Sequence, residues 1–126
     1  MASSSQARSN AVLRVVAVLL CVLLMVNSFA VAAVVNVGGR GGWTLQRYGH
    51  MNIKRGDELV FNYIKKVHNV MQVTERVFTS CRMTSKPIST SLSGKLEVKL
   101  GPGTYYFICR VDNHCAAGMK VSVTVR

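Results

Sequence analysis

Cys109-Arg-Val-Asp-Asn-His114-Cys115-Ala-Ala-Gly-Met119 is the stretch on which the reading of this chain turns. It has the form C-x4-H-x4-M. Thr104 to Cys109 runs into it, β-branched and aromatic as strands prefer. Val121, Val123 and Val125 leave it, alternating with Ser122 and Thr124, the pattern of a half-buried strand. A loop between two strands can curl its ends together, so Cys109, His114 and Met119 can converge. Gly118 is expected to ease a tight backbone approach there.

Working outward, the same short apolar segments recur. Val34 to Val37 reads as a strand, closed by Gly38-Gly39-Arg40-Gly41-Gly42. Glu58 to Ile64 follows the turn pair Gly56-Asp57. Val70 to Thr74 and Val77 to Ser80 read as two more strands. Leu96, Val98 and Leu100 alternate with Glu97 and Lys99, and Gly101-Pro102-Gly103 is a strong turn signal. Helical turns are expected only at Thr44 to Tyr48 and around Arg82 to Ser85. Many short strands in fewer than a hundred residues predict an all-β domain, either a β-sandwich or a small barrel.

Thiolate, imidazole and thioether together suit copper, and two His, one Cys and a weak axial Met form the blue-copper arrangement. A second His is then needed. Beyond His114 the chain offers His50 and His68. His68 lies between two apolar strand segments, where a loop can face the first one, whereas His50 sits in the polar Arg47-Tyr48-Gly49-His50 and reads as a surface residue. Zinc is the competing metal, but its structural sites draw four strong ligands from Cys and His, and Met is not among them. No H-E-x-x-H is present for a catalytic zinc.

The start of the chain reads differently. Met1 to Arg14 is polar and basic, Val15 to Val26 is an unbroken apolar run, and Ala30-Val31-Ala32 supplies small residues at a cleavage site. These three parts make a secretory signal peptide over residues 1–32, with a domain over 33–126. A cut after Ala30 is the near alternative. The run is shorter than the ~20 apolar residues of a spanning helix, and no hydrophobic tail follows Arg126, so no stable membrane anchor is expected after cleavage.

Losing Arg8 and Arg14 with the leader takes the formal net charge from +11 to +9. Such charge favours anionic surfaces: acidic proteins, acidic polysaccharides of the cell wall, or anionic membranes. The basic residues are scattered, and export argues against nucleic acid. Cys21 leaves with the leader, so Cys81, Cys109 and Cys115 remain. In an oxidising compartment two of three should pair, and the third needs another reason, such as a metal.

Further segments carry a resemblance. Val35-Asn-Val-Gly-Gly39, Gly41-Gly-Trp-Thr44, Gly56-Asp-Glu-Leu-Val-Phe-Asn-Tyr63, Val67-His-Asn-Val70, Phe78-Thr-Ser-Cys81 and Gly103-Thr-Tyr-Tyr-Phe-Ile-Cys109 join the loop motif. With them the chain resembles the phytocyanins, plant secreted blue copper proteins, and most closely their plantacyanin (basic blue protein) branch. The resemblance implies a Greek-key, cupredoxin-like β-sandwich with one type 1 copper. It implies the ligands His68, Cys109, His114 and Met119, and a disulfide between Cys81 and Cys115. Met119 sets the chain apart from the stellacyanin branch, whose axial ligand is Gln. Arg110-Val-Asp-Asn113 departs from the usual aromatic or Pro-Gly residues of the copper loop. The implied function is outer-sphere single-electron transfer by an extracellular, monomeric carrier in the apoplast, not enzyme turnover. His114 is expected to be its surface port and an acidic protein its redox partner. The alternative is a cell-wall binding or signalling module in which copper is structural or incidental.

Overall fold

The computed structural model describes residues 3–26, 31–39 and 42–126. The alternative cut after Ala30, and Arg40 and Gly41 of the glycine-rich turn, lie outside the described residues. The chain divides into two compact units, residues 1–31 and 32–126. The first carries helix α1, Ser3–Val26. Its residues 4–26 are exposed and, by length and composition alone, apolar enough to cross a membrane, a test that a leader sequence also passes.

The second unit is a two-sheet sandwich. Strands β1 (Val34–Gly38), β3 (Glu58–Asn62) and β6 (Lys95–Lys99) form one sheet in the order β1-β3-β6. Strands β2 (His50–Ile53), β4 (Val70–Val73), β5 (Ser89–Ser91), β7 (Gly103–Ile108) and β8 (Lys120–Val125) form the other, in the order β2-β8-β7-β4-β5. The pairs β1–β3 and β2–β8 are parallel and the others antiparallel.

The alternation of side chains along each strand decides what is buried. From β7 and β8, Phe107, Val121, Val123 and Val125 face the first sheet, where they meet Val37, Leu59 and Phe61. Trp43 is fully buried among them and lies edge-on to Phe61, ring centroids 5.2 Å apart. The opposite face of β4 and β7 presents Val73 and Ile108 to a smaller cluster with Val77, Phe78 and Cys115.

That second cluster corrects the strand expected at Val77 to Ser80, because Glu75–Ser80 is helix α3. Thr74 caps it, its Oγ1 accepting the Val77 N–H at 3.4 Å, and Glu75 puts an acid in the first turn. Consecutive Val77 and Phe78 then fall on one buried side, which a strand could not do. The turn at Thr44 to Tyr48 is helix α2, Leu45–Tyr48, again capped by a threonine, Thr44. Around Arg82 to Ser85 there are bends without a helix. The segment expected over Glu58 to Ile64 pairs only as far as Asn62, which meets Gly38. Gly38 has φ +104, and a Cβ there would sit 2.0 Å from the Asn62 carbonyl oxygen, so this rung requires glycine.

Candidate metal centre

At one end of the sandwich the β3–β4 and β7–β8 connections face each other. His68 closes a turn after β3, where the N–H groups of Val67 and His68 both donate to the Ile64 carbonyl, at 3.1 and 3.0 Å. Lys66, inside that turn, is held at φ +70. Cys109 directly follows β7, and its N–H donates to the Met119 carbonyl at 3.0 Å. Met119 N–H donates to the His114 carbonyl at 2.8 Å, and His114 N–H to that of Val111 at 3.0 Å. The loop is therefore folded back on itself by its own backbone. Gly118 has φ +100 and an added Cβ would touch nothing within 4 Å, so backbone conformation, not the crowding expected from sequence, calls for glycine.

These elements bring three donors together. Nδ1 of His68 lies 3.2 Å from Nδ1 of His114, and Cys109 Sγ lies 3.9 and 3.5 Å from the two. A point about 2.1 Å from all three atoms sits in the middle of that triangle, matching first-row metal bonds to nitrogen and sulfur of about 2.0–2.3 Å. Two nitrogens and a sulfur at those separations fit a metal better than hydrogen bonds, and the soft thiolate selects copper over oxygen-loving ions. Cys109 is fully buried. Both imidazoles are half-buried, so the site opens to the surface through His68 as well as through His114. Burial, with His114 beside it, pushes the His68 pKa below the usual histidine value. A neutral ring with a free lone pair is the form a metal needs. Met119 is buried in the same apolar cluster as Cys109.

Three further contacts hold this arrangement. Asn69 Oδ1 accepts the Arg110 N–H at 2.8 Å, tying the residue after His68 to the residue after Cys109. A disulfide joins Cys81, the C-cap of α3, to Cys115, next to His114. Lys120 Nζ donates to the Phe78 carbonyl at 2.8 Å and lies 4.9 Å from the Phe78 ring centroid, fastening α3 to the start of β8. Sequence reasoning missed Asn69, whose one signal is its place beside His68. His50 lies away from this cluster, exposed in β2, with Nδ1 against Ser122 Oγ. Beside His68 a cavity of about 280 Å³ is lined by Lys65, Lys66, Asn69, Leu92 and Val111.

A family model described as a plastocyanin-like domain matches residues 46–119. The chain is 42% identical over 94 residues to the basic blue protein of Cucumis sativus, covering 72% of this chain and 97% of that one. It is 37% identical over 108 residues to the basic blue protein of Arabidopsis thaliana, covering 82% and 81%. Among solved structures, the blue copper protein titled cucumber basic protein superposes with a TM-score of 0.64 at 38% identity, over 75% of this chain and all of that one.

Proposed function

This chain belongs to the plastocyanin-like family, among the basic blue proteins or plantacyanins, and on that premise we propose that it is a secreted electron carrier. His68, Cys109 and His114, with Met119 beside them, would hold the copper. Copper, when bound, supplies the one-electron couple Cu(I)/Cu(II). The observation that carries the reading is the triangle of His68, His114 and Cys109 donor atoms, centred at metal-bond distance.

The residues divide the work. Cys109, fully buried, keeps its sulfur away from water and from stray thiols. His68 and His114 turn Nδ1 inward, so each ring presents its other edge outward, and half-burial makes those edges the way in for an electron. The Asn69–Arg110 bond and the Cys81–Cys115 bridge restrain both loops, so the donors need not move between oxidation states. Four protein donors leave no open position for a substrate, which supports a carrier over an enzyme. Residues 1–32 are read as the leader that exports the domain 33–126 to the apoplast.

The test is a visible spectrum of the secreted, copper-loaded protein. An intense blue thiolate-to-copper band is expected, and a colourless or pale-green protein with bound copper would end this reading.

An acidic, diffusing redox partner follows from the charge. Lys65 and Lys66 line the cavity beside His68, and neither has an ion-pair partner among the described residues. Exposed Leu92 lines the same cavity, and exposed Ile64 and Val67 flank the lysine pair in the chain. Reversing both lysines to Glu is expected to slow electron exchange with ferricyanide about tenfold at low salt, the difference fading at high salt. Stopped-flow rates across ionic strength measure this. Equal rates for the two proteins would place the port elsewhere.

A further inference from the structure

Ala33 and Asp57 meet far from the donor cluster, at the start of β1 and β3. The Ala33 N–H donates to Asp57 Oδ1 at 2.9 Å, and the Ala33 carbonyl accepts the Glu58 N–H at 2.8 Å. The other carboxylate oxygen, Oδ2, accepts the Lys54 N–H at 2.9 Å, while Asp57 N–H donates back to the Lys54 carbonyl at 3.1 Å. Asp57 is 7% exposed, and among the described residues only it and Ser122 are buried and polar. A carboxylate this enclosed normally faces a cation. Here its Oδ1 faces the main-chain nitrogen of the first residue after the expected leader.

We propose that Asp57 is a built-in receptor for the Ala33 α-ammonium released by cleavage between Ala32 and Ala33. The inference rests on the reading of residues 1–32 as a cleaved leader. Hydrolysis by a leader peptidase adds water across that peptide bond. The Ala32 carbonyl carbon gains the oxygen, the C–N bond breaks, and the nitrogen takes up protons to become an ammonium. The neutral hydrogen bond to Asp57 thereby becomes a charge-assisted one. A cut one residue earlier would put the ammonium about 3.8 Å further along the chain and leave Ala33 N–H an amide. A cut one residue later would remove the donor. The pocket therefore discriminates between neighbouring chain starts, and processing strengthens the anchoring of edge strand β1 onto β3.

The charges around the pair are Lys54 and Arg55 in the turn, Glu58 next to Asp57, and Lys99 opposite Glu58 on β6. The two N–H donors, and then Lys54, hold the Asp57 carboxyl below its ordinary value. A carboxyl with a lowered pKa stabilises above its unfolded value of about 3.9 and loses that as pH falls through the folded one. An ammonium with a raised pKa stabilises below its unfolded value of about 7.7–8.0 and loses that as pH rises through the folded one. The pair thus stabilises between about pH 4 and pH 8.

The full chain should be expressed in a secreting host, loaded with copper, and its first residue sequenced. Ala33 is expected. In the NMR titration its α-amino group should titrate above 7.7–8.0, the ordinary range. An Asp57→Asn variant with the same first residue should return the α-amino pKa to that ordinary range and melt about 4 °C or more lower at pH 7. A different first residue would overturn the leader boundary, and the receptor with it. A start at Ala33 with an unshifted α-amino pKa and an unchanged melting temperature would overturn the receptor alone.

Discussion

Cys109→Ser protein should fold and yet show no blue colour. The hydroxyl is nearly the size of the thiol, and the two Nδ1 atoms at 3.9 and 3.5 Å from Sγ already make the spot polar, so the exchange places no polar group in a wholly apolar pocket. The cost to the metal-free fold should stay within about 2 kcal/mol. Copper loses its thiolate, however, because a serine hydroxyl stays protonated at neutral pH and is a poor match for a soft ion. Loss of outer residues alone weakens metal sites about 10- to 100-fold, so loss of the thiolate should exceed about 100-fold. Copper titration, the visible spectrum and circular dichroism on one sample read all three effects. A variant that keeps its colour would remove Cys109 from the site.

Replacing Cys81 and Cys115 together by Ala should cost about 3–4 kcal/mol of stability, since the bridge closes a loop with a sequence separation of 34. For a domain of this size the melting temperature should fall by more than about 10 °C. Both cysteines must go, because one remaining thiol beside His114 would offer copper a competing sulfur. Urea unfolding of the metal-free protein gives the energy. Copper affinity should also drop, as Cys115 is the residue next to His114 and its bridge steadies that loop against α3. Unchanged affinity would mean that the backbone bonds of the loop suffice.

The sequence is most legible where one requirement dominates. Val121, Val123 and Val125 face a single core, so β8 is plain in the alternation. The Cys109-to-Met119 loop shows its chemistry because Cys, His and Met at that spacing have few other uses together. Edge strands are harder: β2 and β5 are short, His50 to Ile53 and Ser89 to Ser91, β5 has no apolar residue, and both take their form from a neighbour's backbone as much as from their own pattern. At Val77 and Phe78 apolar β-formers argued for a strand, while the cap at Thr74 and the second cluster below decided for helix α3. Pairing of the cysteines was open on the residues alone, since three sulfurs allow three pairs, and only family likeness selected Cys81 with Cys115. The Asn69 tether depends on two loops meeting in space, which no local pattern reports.

The direction of β1 and β8 has a practical outcome. Strand β8 leaves Met119 at the donor end and runs about 20 Å to Val125. There Arg126 bonds to Ile53 and Arg55. Ala33 enters β1 opposite Glu58, whereas Gly38 reaches Asn62 on the side of the turn that carries His68. Both termini of residues 33–126 thus emerge at the pole remote from the imidazoles. A tag, linker or electrode attachment joined after Arg126 would hang from the back of the molecule and leave the imidazole end open.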